Sequence, residues 1–231
     1  MKKELMLAIF LLVALPTLAL ADATHQGQHR QGPYFSAFLG VTAPKDADAT
    51  TDQYPAPIVT FNDRIEFDPG VYIGGTGGYD FGILRLEGEL SYKHNEMKTI
   101  TDRDTGARYR NVDGNVGLVA FMANVFLDLH NDTPVTPYLG GGIGFATIRI
   151  SDTYGTDNSG TRSLLFVEDD DSVFAYQAGG GLDIALNRRI SLDLGYRYFA
   201  TDTANFNKDW AQATSLKMES HNGMVGVRFK F

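Results

Sequence analysis

Two segments near the carboxyl end alternate regularly in side-chain character, and this pattern constrains the fold more than any other feature. In the first, one set of alternate residues is apolar: Ile190, Leu192, Leu194, Tyr196 and Tyr198, against Ser191, Asp193, Gly195, Arg197 and Phe199. The second alternates in the same way: Val225, Val227, Phe229 and Phe231, against Met224, Gly226, Arg228 and Lys230. A period of two predicts β-strands, each with one apolar face and one mixed, charged face.

A third segment shows the alternation most clearly. Its two sets are Leu84, Leu86, Gly88, Leu90 and Tyr92, against Arg85, Glu87, Glu89, Ser91 and Lys93. Four residues of the second set are charged, so that face of the strand cannot lie against lipid. A soluble sandwich would turn the apolar faces inward, whereas a membrane barrel turns them to lipid and keeps the charges in its lumen. The charged alternation favours the barrel.

The remaining pattern predicts about eight strands. They lie near residues 33–42, 66–79, 84–93, 113–129, 135–150, 172–186, 190–199 and 224–231. The predicted connections are long and polar after the first, third, fifth and seventh strands, and short after the others. An even strand number with short turns at one end and long loops at the other is typical of outer-membrane barrels. We therefore expect an all-β fold, an eight-stranded antiparallel up-and-down transmembrane β-barrel.

Glycine is unusually frequent, at 25 of 231 residues against the usual ~7%. Its clusters at 74–78 and 140–144 lie inside predicted strands, and a phosphate-binding loop would need a helix after the glycines. Tight curvature and a crowded lumen require glycine within strands, so these clusters are interpreted as structural.

The amino-terminal segment predicts export. Lys2 and Lys3 precede an apolar run from Leu5 to Leu20, and Ala19-Leu20-Ala21 forms an A-x-A cleavage site. The pattern predicts a signal peptide at 1–21, a flexible periplasmic lead-in at 22–32, and a barrel domain at 33–231. The chain has no cysteine and a net charge of −8, which excludes a disulfide framework and argues against nucleic acid as a partner.

Four motifs, taken in order and spacing, carry a family resemblance: 137–144 (PYLGGGIG), 178–183 (AGGGLD), 194–198 (LGYRY) and 225–231 (VGVRFKF). The chain resembles the small eight-stranded outer-membrane barrels of Gram-negative cells, the group that contains the OmpA transmembrane domain, OmpX and the opacity proteins. The resemblance implies a location in the cell outer membrane, with membrane lipid and lipopolysaccharide as partners. It also implies that the terminal aromatic strand, with Phe229 and Phe231, is the signal that the outer-membrane assembly machinery reads.

The candidate site is the predicted lumen. Its charged residues are Arg85, Glu87, Glu89, Asp128, Asp183, Asp193, Arg197, Arg228 and Lys230. Isolated buried charges are costly, so these groups are expected to pair with one another. One hypothesis is a network of salt bridges that fills the lumen; the other is a narrow, gated ion path through the same charges. An eight-stranded lumen is barely wide enough for its own side chains, which favours the filled lumen.

The predicted external loops offer weaker candidates. The acidic segment 151–171 could hold a cation, but it lacks the spacing of an EF-hand loop, and a solvated loop is the simpler interpretation. Basic residues of the loop 98–111 could contact lipopolysaccharide phosphates: Lys98, Arg103, Arg108 and Arg110. The aromatic residues Tyr54, Phe206 and Trp210 could either anchor a surface ligand or pack the loop bases.

No residue pattern predicts catalysis. Ser220 and His221 are sequence neighbours, so on a strand their side chains point to opposite faces, which is wrong for a nucleophile and its base. No cofactor or metal site is predicted, and the chain is not expected to be an enzyme. The expected function is a structural and surface-interaction role in the cell envelope. The alternatives are a small porin-like channel, a surface adhesin and, less favoured, a lipid A-modifying enzyme.

Overall fold

The computed structural model describes residues 31–53, 58–206 and 212–231. The predicted signal peptide, and the lead-in as far as residue 30, lie outside the described residues. The described chain consists of strands and connections, and none of its segments is a helix long and apolar enough to cross a membrane. The strands are β1 (Gly32–Pro44), β2 (Ala47–Gln53), β3 (Val59–Phe67), β4 (Gly70–Asp80), β5 (Leu84–Asp102), β6 (Arg108–Asp113), β7 (Asn115–Asp128), β8 (Val135–Ile150), β9 (Thr153–Thr156), β10 (Arg162–Phe166), β11 (Asp169–Ala185), β12 (Ile190–Thr201), β13 (Ala204–Phe206), β14 (Gln212–Leu216) and β15 (Glu219–Lys230).

Eight of these strands close into a ring. Its order is β1, β4, β5, β7, β8, β11, β12 and β15, and every neighbouring pair is antiparallel. The ring closes at β1, where Ala37 lies opposite both Gly75 of β4 and Val227 of β15. Because the chain runs up and down through sequential neighbours, the predicted eight-stranded antiparallel barrel is confirmed. We call the end of the ring with the short connections the turn end, and the opposite end the outer end.

The two faces of the ring differ as the alternation predicted. On β7, Val119, Phe121 and Val125 are exposed, whereas Met122 and Asn124 are buried in the lumen. The same alternation leaves large apolar side chains exposed on every ring strand. A continuous exposed apolar belt of this extent is suited to lipid.

The long connections are not the irregular loops that the sequence predicted. They contain β2, β3, β6, β9, β10, β13 and β14, which pair with one another and with the outer part of β5. We call these seven strands, together with residues 97–102 of β5, the outer sheet. Segments such as Ala47–Gln53 are rich in Asp and Thr and carry no large apolar residue, so they give no clear period-two signal, but cross-strand backbone pairing still orders them.

The lumen has two parts. Toward the turn end and the middle of the ring, it is filled by charged and hydrogen-bonding side chains. Toward the outer end lies a second part, the apolar lumen cluster, which continues into the space beneath the outer sheet. The buried residues of this cluster are Ala47, Ala49, Ile65, Phe67, Met97, Ile100, Val116, Leu118, Ala120, Met122, Ala146, Ile148, Ile150, Phe166, Ala175, Phe199, Ala204, Phe206, Leu216 and Met218.

Candidate functional site

The carboxylate of Glu89 is the centre of the polar lumen. Arg197 of β12, on the opposite side of the ring, donates to Glu89 Oε2. Gln177 of β11 donates to the same oxygen at 2.8 Å, and Asn124 of β7 does so at 3.1 Å. The hydroxyl of Tyr72 on β4 donates to the other oxygen, Oε1, at 2.9 Å. Side chains from five strands therefore meet at one buried carboxylate, and they cross the lumen at this level.

Arg85 organises the wall toward the turn end. Its Nη2 lies 3.1 Å from Asp128 Oδ1 on β7, and its Nη1 lies 3.7 Å from Glu87 Oε2. Glu87 also accepts a 2.7 Å hydrogen bond from the hydroxyl of Tyr34 on β1, and Arg197 Nη2 lies 3.3 Å from Glu87 Oε1. Because Arg197 contacts both glutamates, it joins this group to the one around Glu89.

Arg228 organises the opposite wall. Its Nη1 lies 3.0 Å from Asp183 of β11, and its Nη2 lies 2.9 Å from Asp193 of β12. Lys230 contacts the same Asp183 oxygen at 2.9 Å. The hydroxyl of Tyr138 on β8 donates to Asp193 at 2.6 Å. Each carboxylate in this group is therefore held by a cation, and Asp193 is also held by a phenol.

Aromatic rings pack between the charged groups. The Arg85 guanidinium lies 4.8 Å from the ring centroids of both Phe126 and Tyr138, and the Arg228 guanidinium lies 5.1 Å from that of Tyr34. A desolvated guanidinium over a ring face is stabilised by the ring quadrupole. Glycine provides the necessary space, because a Cβ at Gly142 would overlap the side-chain oxygen of Asn124. The lumen is packed as a mixed polar and aromatic core.

The structure places all nine sequence-predicted charged residues inside the ring, each with at least one oppositely charged partner. Sequence reasoning did not assign the hydrogen-bonding members Tyr34, Tyr72, Tyr138, Asn124 and Gln177 to the site. Their inward alternation was available as a signal, but the alternation does not show which carboxylate each side chain reaches. The nine residues comprise four cations and five carboxylates. A further buried lysine, Lys93, has no hydrogen-bond partner within the described part of the chain and lies outside this network.

Three of the four external basic residues are paired with carboxylates of the segment 48–68. Lys98 lies 3.5 Å from Asp68, and Arg108 lies 3.6 Å from Glu66. Arg103 is bonded to Asp48. Arg110 is exposed on β6. A lipopolysaccharide phosphate would therefore compete with protein carboxylates for most of these predicted contacts.

The outer sheet also brings carboxylates together. Asp63 of β3 lies opposite Asp102 of β5 in the strand register. Partial burial, together with the charges of Asp102 and Asp104, raises the pKa of Asp63 to about 6. By contrast, hydrogen bonds from Thr105 and the backbone of Asp104 lower the pKa of the Asp102 carboxyl. Within the described ranges, no group of three or more His, Cys, Asp or Glu side chains is arranged to hold a metal ion.

The remaining candidates separate in space. Ser220 is buried in the lumen, whereas His221 is exposed on the outer face, 2.6 Å from the hydroxyl of Tyr196. Phe206 is buried in the apolar lumen cluster, so it packs the base of its segment and is not exposed to a ligand. Tyr54 and Trp210 lie outside the described residues.

A closed antiparallel ring with an apolar exterior and a charged interior defines a transmembrane β-barrel, since closure leaves no unpaired strand edge in lipid. The chain belongs to the outer membrane protein beta-barrel domain family, whose model matches residues 7–229. It is an integral protein of the outer membrane.

Relatives and solved structures agree with this assignment. The chain is 27% identical over 179 residues to the outer membrane protein PagN of Salmonella typhimurium, which covers 70% of this chain and 74% of PagN. It is 36% identical over 130 residues to an uncharacterized protein of Brucella abortus, covering 48% of this chain and 46% of that protein. The outer membrane protein OprG from Pseudomonas aeruginosa superposes with a TM-score of 0.57 at 14% identity, covering 88% of this chain and 97% of OprG, and this likeness shows the fold alone.

Proposed function

We propose that this protein is a non-conducting outer-membrane barrel that stiffens the envelope and presents a rigid, strand-built surface to the exterior. The observation that carries the proposal is the convergence on Glu89. Side chains from β4, β7, β11 and β12 all bond to this one carboxylate of β5. At the level of Glu89, the side chains that cross the lumen are packed and neutralise one another, so this level offers ions neither an open path nor an unpaired charge.

Planar bilayer recordings on the purified, folded protein test the sealed lumen. We expect no stable conductance steps from the natural sequence. A variant that removes three of the crossing side chains (Glu89→Ala, Gln177→Ala and Arg197→Ala) is expected to give reproducible steps, which shows that the assay can detect an open lumen. Folding of both proteins is checked by heat-modifiable gel migration. Stable steps from the natural sequence would overturn the proposal in favour of the porin-like alternative.

The outer sheet supports the surface-interaction part of the proposal. Its strands connect the four external segments, since β14 of the last pairs with β2 of the first, β3 and β6 both pair with outer β5, and β6 pairs with β9. A pre-ordered surface loses little conformational entropy when it binds a ligand. We propose that a surface ligand contacts this sheet. Membrane lipid contacts the apolar belt, and lipopolysaccharide lies against the outer rim.

Catalysis is not part of the proposed function. Ser220 donates to Asn222 inside the lumen, and His221 lies beside Tyr196 on the outside, so the two cannot share a proton. We expect the lipid A mass profile of cells to be the same with and without this protein. A new lipid A species that appears only on expression would contradict this part.

A further inference from the structure

Lys93 is a buried lysine whose amino group has no hydrogen-bond partner among the described residues. The residue is 3% exposed, and its Nζ is among the buried polar atoms that have no hydrogen-bond partner. Its neighbours are aromatic: Nζ lies 3.1 Å from the ring centroid of Phe199 and 5.2 Å from that of Tyr72. Burying an ammonium group without a hydrogen-bond acceptor costs several kcal/mol. An apolar side chain at this position would fill the same space without that cost.

The cations of the polar lumen provide a contrast. Arg85, Arg197, Arg228 and Lys230 each contact at least one carboxylate, as described above. Lys93 lies on β5, two positions beyond Ser91 and nearer the outer end than Glu89. Among the described residues, no carboxylate lies within salt-bridge distance of its Nζ. The lumen therefore pairs its other basic side chains with carboxylates and leaves the Lys93 amino group without one.

The surroundings of Lys93 toward the outer end are apolar. In the strand register, it lies opposite Leu118 of β7, a member of the apolar lumen cluster. Small side chains line the neighbouring wall, where Ala120 lies opposite Ala146, and Ala175 lies opposite Gly144. From Lys93 to Ile100, the cluster extends roughly 23 Å along β5 at about 3.3 Å per residue.

We propose that this outer half of the lumen is a binding site for a long-chain monocarboxylate, whose carboxylate pairs with Lys93 and whose alkyl chain lies in the apolar lumen cluster. The ligand enters from the outer end, because the polar network around Glu89 blocks the lumen on the other side. Binding requires the Phe199 side chain to rotate off the ammonium, so that the carboxylate replaces the ring as the partner of Nζ. An apolar lumen cluster that ends at one unpartnered amino group fits an amphiphile with a single carboxyl group at one end.

Titration with dodecanoate that carries a ¹³C label at the carboxyl carbon tests the proposal. The protein is held in nanodiscs of neutral phospholipid, and empty nanodiscs measure how much dodecanoate partitions into the lipid alone. We expect saturable binding with one site per barrel and a shifted carboxyl resonance. Lys93→Met preserves chain length and apolar packing, and we expect it to weaken dodecanoate binding at least tenfold. Lys98→Met removes an exposed lysine from the same strand and is expected to bind as the natural sequence does.

Dodecanol provides the matched ligand. Because it lacks the carboxylate, it is expected to bind the natural sequence at least tenfold more weakly than dodecanoate, and to bind Lys93→Met with unchanged affinity. Absence of saturable dodecanoate binding, or equal binding by the natural sequence and Lys93→Met when both show the folded form on heat-modifiable gels, would overturn the proposal. Neither result depends on whether the lumen conducts ions.

Discussion

Arg197 and Glu89 are joined across the full width of the ring. They are 108 residues apart in the chain, on β12 and β5, and three strands lie between them in either direction around the barrel. Their contact therefore connects two walls that share no backbone hydrogen bond. Since both side chains are fully buried, neither charged group can readily exchange its partner for another in solvent or lipid.

Glu89→Gln is expected to destabilise the barrel by about 3 kcal/mol, because it leaves the buried Arg197 with only Glu87 as an ionic partner. The midpoint of urea unfolding in detergent, followed by heat-modifiable gel migration, measures the change. Adding Arg197→Met should recover part of the loss, since the double variant no longer buries an undercompensated cation. Asp113→Asn breaks the exposed pair with Arg162 and should change stability by less than about 0.5 kcal/mol. Equal effects at the two sites would contradict the structural role of the lumen network.

Nitroxide labels report which face of the ring contacts lipid, and the chain has no cysteine of its own to interfere. Labels on Leu90→Cys and Ile143→Cys should be accessible to oxygen and protected from a water-soluble nickel complex, since both residues are exposed on the apolar belt. A label on Asp157→Cys, in the connection between β9 and β10, should show the opposite preference. Water accessibility at Leu90 would refute the assignment of the outward face.

Asp63 is expected to make the outer sheet more stable in mild acid than at neutral pH. The pKa of this carboxyl is raised from 3.8 to about 6 in the folded protein, so the folded state binds the proton more tightly than the unfolded state does. Stability should therefore fall as the pH rises from about 4 to about 6, and the loss should persist at pH 7. Allowing for partial exposure, its size is about 1–2 kcal/mol.

Asp63→Asn removes this penalty, so we expect it to increase protection of β3 and outer β5 amides at pH 7 and to leave protection at pH 4 unchanged. Hydrogen exchange, corrected for the intrinsic pH dependence of the exchange rate, measures the effect. Asp132→Asn, in the turn between β7 and β8, serves as the control and should leave the outer sheet unaffected. Lower protection of Asp63→Asn at pH 7 would show that the carboxylate stabilises the sheet.

Phe231→Ala is expected to reduce the fraction of protein assembled in the outer membrane several-fold, if the terminal aromatic strand is the signal read during assembly. Phe35 of β1 stacks on Phe229 with ring centroids 4.8 Å apart and contacts Phe231 at 5.8 Å. The loss should be rescued by Phe231→Trp. Phe81→Ala removes another exposed aromatic from the turn end, and it should assemble normally. Quantifying the heat-modifiable form in outer-membrane fractions distinguishes these outcomes, and normal assembly of Phe231→Ala would argue against the signal.

The alternation of side chains predicted the ring because the two faces of each strand meet very different environments. Leu90 and Glu89, adjacent in sequence, could be assigned to lipid and lumen on chemistry alone. Such outer strands could not be predicted in this way, since segments such as Ala47–Gln53 carry no large apolar side chain on either face and are ordered by their partners. The sequence also could not predict that Lys93 lacks a partner. Which side chains of different strands lie at the same level of the lumen depends on the register of the strands in the closed ring.

The pairing of β2 with β14 connects the first external segment to the last. In this backbone ladder, the outward-facing side chains can be exchanged at little cost, but an inserted or deleted residue shifts the register and turns alternate side chains to the other face. We therefore expect natural variants of this exterior to differ widely in side-chain identity while conserving the lengths of these two segments together.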